Sequence, residues 1–311
     1  METIALGQTG LRVSVVGAGT NAWGGRSGPD PDKRSTFDAL WRAGVTLLDT
    51  AEIYTGGRSE RTVGACIRES GQRPVVLSKF FPYPWRLGRP AMTSALRRSL
   101  SRLGLSAVDV YLLHFPWPPV PVETWADGLA DIVEAGLART VGISNCDPAQ
   151  TRRAWAALAA RGVPLACNEV EYSLLHRQPE RSGLLDLCRE LGVAVIAYRP
   201  LALGMLSGKY GRTRSVSTPS AAQHRPGGRR GFVYGGRYAA RVGPALSELQ
   251  RIADSRGKTV AQVSLNWILC KGAVPIPGAK TPEQARQNAG SMGWRLTSGE
   301  VAALDAAAPP R

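Results

Sequence analysis

No apolar run in this chain approaches the roughly 20 residues that a membrane-spanning helix needs, so no membrane association is expected. The opening Met1-Glu2-Thr3-Ile4-Ala5-Leu6-Gly7 lacks the basic and apolar regions of a secretory leader. Cysteine is sparse and unpaired. The five residues Cys66, Cys146, Cys167, Cys188 and Cys270 are scattered and odd in number. That pattern argues against a disulfide framework and a zinc site, and predicts reduced thiols in a cytoplasmic protein. Acidic residues are also few, 24 against 39 basic, for a net charge of +15. All but six of the basic residues are arginine, and alanine and glycine are abundant, as GC-rich coding produces. A nucleic-acid partner therefore does not follow from the charge. The stretch Gly211 to Val242 stands apart, with seven arginines (Arg212, Arg214, Arg225, Arg229, Arg230, Arg237, Arg241) and no acid. It reads either as a solvated basic loop or as an attractor of a phosphate-bearing cofactor or substrate.

What is present is the composition of a globular protein with a sizeable core, 43% apolar and 20% charged. After a hairpin at Thr3–Leu6 and Leu11–Val13, strand-like and helix-like patterns alternate. Strand candidates are Val13–Val16, Val45–Leu48, Val75–Ser78, Val108–Leu113, Thr140–Ile143, Leu165–Val170, Val193–Ala197 and Ala273–Ile276. Helix candidates between them are Asp32–Ala43, Ser59–Ser70, Ala91–Leu103, Val122–Ala135, Pro148–Ala160, Gly183–Leu191 and Gly243–Lys271, the last broken near Gly257. Asp147 before Pro148 is a good helix start, and Gly104, Gly136, Gly162 and Gly192 stop helices. Eight such units without a linker predict an α/β fold, a single (β/α)₈ TIM barrel spanning residues 1–311. The long irregular stretch Leu203–Val242 reads as a functional lid.

Gly17-Ala18-Gly19-Thr20-Asn21-Ala22 follows a strand-like run and matches the loose dinucleotide fingerprint G-x-G-x-x-A. The Trp23-Gly24-Gly25-Arg26-Ser27-Gly28-Pro29 that follows cannot begin the helix this fingerprint requires. A stronger constellation sits at three successive strand ends. Asp49 closes one run, with Tyr54 five residues on; Lys79 closes the next and His114 the third. Thirty residues separate Asp49 from Lys79 and 35 separate Lys79 from His114, about one strand-plus-helix unit each time. In a parallel barrel these ends share one face, the face that carries catalytic groups. A phenol, with a pKa of about 10, is a poor proton donor at neutral pH until a cation lowers it. A lysine held by a carboxylate supplies that cation, and an imidazole can orient a carbonyl oxygen. The four together predict protonation of a developing alkoxide.

These residues lie in motifs that resemble the aldo-keto reductases: Leu48-Asp49-Thr50-Ala51-Glu52-Ile53-Tyr54, Leu77-Ser78-Lys79, Leu112-Leu113-His114, Val141-Gly142-Ile143-Ser144-Asn145, Tyr198-Arg199-Pro200-Leu201-Ala202 and Pro275-Ile276-Pro277-Gly278-Ala279-Lys280. The resemblance implies a catalytic tetrad of Asp49, Tyr54, Lys79 and His114, with Tyr54 as proton donor and NADPH as cofactor. It places Ser144, Asn145 and Glu169 against the nicotinamide carboxamide and Tyr198 against its ring. Arg199, Pro200, Leu201, Gly204, Leu206, Gly208 and Lys209 fall around the pyrophosphate. Lys280 falls at the 2′-phosphate, and Gln284, Gln287 and Asn288 at the adenine; Gly19, Thr20, Asn21 and Gly278 complete the expected cofactor set. A cation at the 2′-position favours NADPH over NADH, since only the former offers it a phosphate.

The chain departs from the family pattern in three places. Glu169 replaces a glutamine, Arg199 a small serine and Gln287 a glutamate. A carboxylate at 169 can accept from the carboxamide but cannot donate to it. The aromatics Trp23, Phe80, Phe81, Tyr83, Trp85, Phe115 and Trp117 fall after strand ends and are expected to line a pocket for a small, planar or largely apolar carbonyl substrate. The resemblance also extends to reductases of nucleotide-linked deoxysugars, where the arginine stretch would hold a diphosphate. It extends further to NADPH-sensing potassium-channel β subunits, which carry asparagine where this chain has His114.

Overall fold

The computed structural model describes residues 2–25, 30, 33–208 and 239–309. A short antiparallel hairpin, β1 (Thr3–Ala5) and β2 (Arg12–Ser14), precedes eight parallel strands in sequential order: β3 (Ala18–Gly19), β4 (Leu47–Asp49), β5 (Val75–Phe80), β6 (Val108–Leu113), β7 (Ala138–Ser144), β8 (Leu165–Glu171), β9 (Ala194–Tyr198) and β10 (Ala273–Pro275). The sheet closes on itself just beyond β10. Gly19 bridges Gly278 in parallel, Gly17 N–H donates to the Pro275 carbonyl at 2.9 Å, and Gly19 N–H donates to the Pro277 carbonyl at 3.2 Å. The helices outside are α1 (Lys33–Arg42), α2 (Arg58–Ser70), α3 (Arg89–Leu103), α4 (Val122–Glu134), α5 (Pro148–Ala160), α6 (Gln178–Arg181), α7 (Leu184–Glu190), α8 (Ala239–Arg256), α9 (Val260–Cys270), α10 (Pro282–Ala289) and α11 (Ser298–Ala307). This is the (β/α)₈ barrel expected from the alternation. Among the described residues no helix is long and apolar enough to cross a membrane.

One expected strand is displaced. The run Val13–Val16 ends the hairpin rather than opening the barrel, and the first barrel strand is the glycine-bearing Ala18–Gly19. Space explains this. A Cβ on Gly17 would press on Ile276 Cγ2 at 2.8 Å, and one on Gly19 would meet the Ile276 carbonyl at 3.1 Å. The β-branched residues that advertise a strand cannot occupy the seam. The fingerprint-like Gly17–Ala22 therefore forms a barrel strand and a turn, and the next helix waits until Lys33.

Two cores result from the two-residue period of the strands. Leu47, Leu77, Leu112, Cys167 and Ile196 point into the barrel, where Leu6, Leu11 and Val13 of the hairpin join them. Leu48, Val76, Tyr111 and Leu113 face outward to the helices. The same parity carried two residues further aligns Asp49, Lys79, His114, Glu169 and Tyr198 over the inner core. Five strands thus deliver polar groups to one mouth without bending.

Helix α2 approaches α3 through Gly64, where an added Cβ would run into the Leu103 carbonyl. That neighbour is backbone and cannot rotate away. Gly64→Ala should therefore lose about 1–3 kcal/mol from overpacking despite the better helix propensity of alanine, read as a lowered urea midpoint. A raised midpoint would mean that the helices separate freely.

Candidate active site

Lys79 is the hub. Its Nζ, fully buried, donates to Asp49 Oδ1, to the Thr50 carbonyl at 3.0 Å and to the Tyr54 hydroxyl at 3.2 Å. Those three bonds use all three ammonium protons. Glu169 Oε2 lies 3.4 Å from the same nitrogen, within ion-pair reach but without a directed hydrogen bond. Tyr54 sits on a tight turn, Tyr54–Gly57, in which Thr55, Gly56 and Gly57 all have positive φ. Its ring meets His114 edge to face at 5.9 Å. The four residues expected to converge are brought together.

Hydroxyls beneath the tetrad fix its backbone. Thr20 Oγ1 donates to the Asp49 carbonyl at 2.7 Å and lies 2.8 Å from Ser59 Oγ, which in turn lies 2.9 Å from Thr50 Oγ1. Thr20 is fully buried in this chain of contacts, and its backbone is engaged as well: its N–H donates to the Asp49 carbonyl and its carbonyl accepts from Trp23 N–H and Ser59 Oγ.

The aromatic residues divide into two groups. Phe81, Tyr83, Trp85, Phe115 and Trp117 form a wall beside the tetrad. Phe115 stacks on His114 at 5.0 Å and on Trp117 at 4.6 Å; Tyr83 stacks on Trp85 at 4.8 Å; Phe81 stands edge-on between the stacks. Trp85 and Trp117 are 74% and 45% exposed, an amount of bare indole that suits a binding surface. Trp23 and Phe80 correct the expectation. Both are fully buried: Trp23 Nε1 donates to the Ala279 carbonyl at 2.8 Å, and Phe80 packs on Trp125. They belong to the core because their strand parity and turn geometry aim them outward from the barrel mouth.

Glu52, quoted within the Asp49–Tyr54 motif but given no role there, holds the aromatic wall. Its Oε1 accepts from Phe81 N–H at 2.8 Å and from Arg86 Nη1 at 2.5 Å, while its Oε2 accepts from Arg86 Nη2 at 3.1 Å. Arg86 also donates to the Phe81 carbonyl and covers the Tyr83 ring. Nothing around Glu52 in the sequence signals this clamp, because its partners Phe81 and Arg86 lie about thirty residues on and only the loop's return brings them back.

The opposite half of the mouth is a polar network. Asn145, in a left-handed conformation at φ 60°, donates to the His114 carbonyl and to Ser144 Oγ, both at 3.0 Å, and accepts from the Tyr198 hydroxyl at 2.8 Å. Ser144 Oγ donates to the Glu169 carbonyl at 2.8 Å. Further along, Arg199, Ala202 and Leu203 also hold positive φ. Such non-glycine conformations cost about 1–3 kcal/mol each and cluster where backbone must meet a ligand. The Arg199 side chain is turned toward Glu171 at 3.0 Å. Pro200 is buried, and Leu206 is fully buried in the outer core, with no exposed surface; Leu201 is half-buried, and Gly204 and Gly208 complete the turn. Lys209 and the seven arginines lie outside the residues whose side chains are described.

Asn21, Gly278 and Lys280 are exposed. Gln284 Oε1 accepts from the Lys280 N–H at 2.8 Å, at the start of α10, and Asn288 Nδ2 donates to the Gly278 carbonyl at 3.3 Å. Gln287 is half-buried on the same helix, where its carbonyl accepts from Gln262 at 3.0 Å. Gly19 serves the barrel seam as described above.

Burial dominates the electrostatics. It drives the Tyr54 phenol up, reinforced by the Asp49 carboxylate and opposed by Lys79, so the phenol keeps its proton. Burial would discharge Lys79, but the Asp49 carboxylate, its largest counterweight, outweighs that and holds the ammonium charged. His114 is pushed down to about 3 by burial and by Lys79, leaving a neutral imidazole. Glu169 is pushed up to about 8 by burial and by Asp49, against the pull of Lys79. A protonated Glu169 can donate as well as accept, which removes the objection that a carboxylate raised.

The barrel's strand ends thus join a buried lysine, a protonated phenol and a neutral imidazole at one mouth. The Aldo/keto reductase family model matches residues 15–309, and the chain belongs to that family of NADP-dependent oxidoreductases. It is 37% identical over 320 residues to the chloroplastic pyridoxal reductase of Arabidopsis thaliana, covering 96% of this chain and 84% of that one. It is 30% identical over 315 residues to the L-glyceraldehyde 3-phosphate reductase of Escherichia coli K12, covering 96% and 90%. The crystal structure of an aldo-keto reductase from Klebsiella pneumoniae in complex with NADPH superposes with a TM-score of 0.76 at 30% identity, covering 100% of this chain and 96% of that one.

Glu169 also couples stability to pH. Its usual value of 4.5 applies to the unfolded chain, and in the fold it rises to about 8. Between those values the folded state binds a proton that the unfolded state does not, so stability falls as pH rises through that window. Glu169→Gln should raise the melting temperature by a few degrees at pH 8, with the gain shrinking at pH 5, as followed by circular dichroism. A gain independent of pH would mean that Glu169 ionises normally.

Proposed function

We propose that the protein is an NADPH-dependent reductase of planar aromatic aldehydes, with Tyr54 as the proton donor. The observation that carries this is the contact of buried Lys79 with both Asp49 and Tyr54, directly beside the aromatic stack that begins at His114. The described residues fit the cofactor. The left-handed backbone at Asn145, Arg199, Ala202 and Leu203 marks a ligand path along the mouth, and the buried, unbonded Glu169 Oε2 calls for a polar partner. Asn145 and Glu169 would hold the carboxamide, Tyr198 the ring and Lys280 the 2′-phosphate. Bound there, NADPH supplies a hydride to the carbonyl carbon.

The chain's own residues manage the other half of the reaction. Tyr54 gives its proton to the carbonyl oxygen, and Lys79 stabilises the phenolate left behind, 3.2 Å away. Asp49 keeps the ammonium in place. His114, neutral, can hydrogen-bond the oxygen without competing as an acid. Phe81, Phe115 and Trp117 present flat faces and edges that favour a planar ring over a branched aliphatic body. The likeness to a pyridoxal reductase supports the same substrate class and makes pyridoxal the first aldehyde to try.

NADPH oxidation with pyridoxal and with benzaldehyde should be rapid in the wild type. Tyr54→Phe should lose at least about a hundredfold in kcat, the scale of a lost general acid, with NADPH affinity nearly intact by fluorescence titration. Loss of both together would assign Tyr54 a structural role. Lys280→Ala should weaken NADPH binding by about tenfold or more and leave NADH binding unchanged, since a charge-assisted bond contributes about 1.5–3 kcal/mol. Equal losses for both nucleotides would remove Lys280 from the 2′-phosphate.

A further inference from the structure

The barrel centre holds one ammonium and two carboxyl groups, and the tetrad uses only one of the latter. Lys79 spends its three protons on Asp49, the Thr50 carbonyl and Tyr54. Glu169 is the surplus acid: 1% exposed, 3.4 Å from Nζ, with Oε2 lacking a hydrogen bond. A second buried carboxylate sharing one cation is costly, and the usual resolution is for one of the pair to keep a proton. Among the described residues, the groups around it include no other cation to neutralise it. From β4 comes Asp49, from β5 Lys79, from the turn after β4 Tyr54, and from β9 Tyr198; Cys167 precedes it on its own face of β8, with its thiol driven up by burial.

We propose that Glu169 is the proton store of this site, a positioning residue that holds a proton at rest and returns it, through Lys79, to Tyr54 once Tyr54 has protonated the substrate. The inference rests on the reductase reading above. The transfer balances. The Tyr54 O–H bond breaks as the substrate O–H forms; a Lys79 N–H proton passes to the phenolate oxygen 3.2 Å away; the Glu169 O–H proton passes to Nζ across 3.4 Å. The centre ends with Tyr54 neutral, Lys79 charged and Glu169 ionised. With the hydride accounted for by NADPH, the product alcohol has gained one hydride and one proton. Glu169 recovers its proton from solvent after the product leaves. The donor is thus reset from within the site. A glutamine at this position has no proton to lend.

The test compares the wild type with Glu169→Gln in two ways. In the cofactor-free protein at pH 7, a difference infrared spectrum should show a protonated-carboxyl stretch in the wild type that the variant lacks. Its absence overturns the proposal whatever the activity. At saturating NADPH and saturating pyridoxal or benzaldehyde, the wild-type kcat should fall about tenfold per pH unit once Glu169 ionises, and the variant's alkaline limb should lose that step. Superimposable limbs overturn the relay even if the carboxyl band is present. Silence of both proteins toward every carbonyl, with the band present, instead refutes the reductase reading and the relay that rests on it.

Discussion

A lysine ammonium with no exposed surface is the constraint around which this barrel mouth is organised. Leaving such a charge unpaired in the interior would cost several kcal/mol, so the surrounding structure must meet it with oxygen. Asp49, the Thr50 carbonyl and the Tyr54 hydroxyl do so, from a strand end and the turn that follows it. The Thr20, Ser59 and Thr50 hydroxyls then hold that strand end in register. The same pairing decides the chemistry. Tyr54 remains a protonated phenol because it is buried beside a carboxylate, yet the anion it would become has a cation waiting. A phenol that is protonated at rest, beside a cation that would stabilise its anion, follows from one buried ion pair.

The mouth divides along a line through His114. On the β4–β6 side stand the proton donor and the aromatic wall, rigid through stacking and through the Glu52–Arg86 clamp. On the β7–β9 side the backbone carries the strain, at Asn145, Arg199, Ala202 and Leu203, and the side chains are amides, hydroxyls and a carboxyl. His114 belongs to both, since its ring stacks with Phe115 and its carbonyl accepts from Asn145. The aromatic wall is therefore mechanically joined to the polar half of the mouth.

Much of this was legible in the sequence, for a physical reason. Asp49, Lys79 and His114 each interrupt an apolar run by one polar residue at the inward parity, and a buried parallel strand has few other places for a polar group. Helix ends were legible where glycine takes positive φ, as at Gly104, Gly136, Gly162 and Gly192, and where Asp147 forms a capping box with Gln150. The barrel's first strand was misread because its seam admits only glycine at positions that would otherwise show β-branched residues. Helix α11 stands outside the alternation read from the sequence. Its cap, Thr297, is an ordinary signal, but the helix buries only Leu304 and so shows little apolar periodicity. Trp23 and Phe80 follow strand ends as pocket residues do, and only the direction of their side chains separates them from Phe81 and Trp117.

Glu169 was legible as a departure and illegible as a charge. Its neighbours Asp49 and Lys79 lie more than a hundred and exactly ninety positions away in the chain, and nothing local to β8 predicts the company it keeps. Once they meet, the replacement of a glutamine by a glutamate ceases to be the addition of a negative charge. The site has one cation for two acids, so the second acid is held neutral, and a neutral glutamic acid has nearly the shape of glutamine and can likewise donate and accept. What differs is that its proton can leave. The substitution keeps the polar shape of the family's site while placing a group able to titrate within 3.4 Å of the buried lysine.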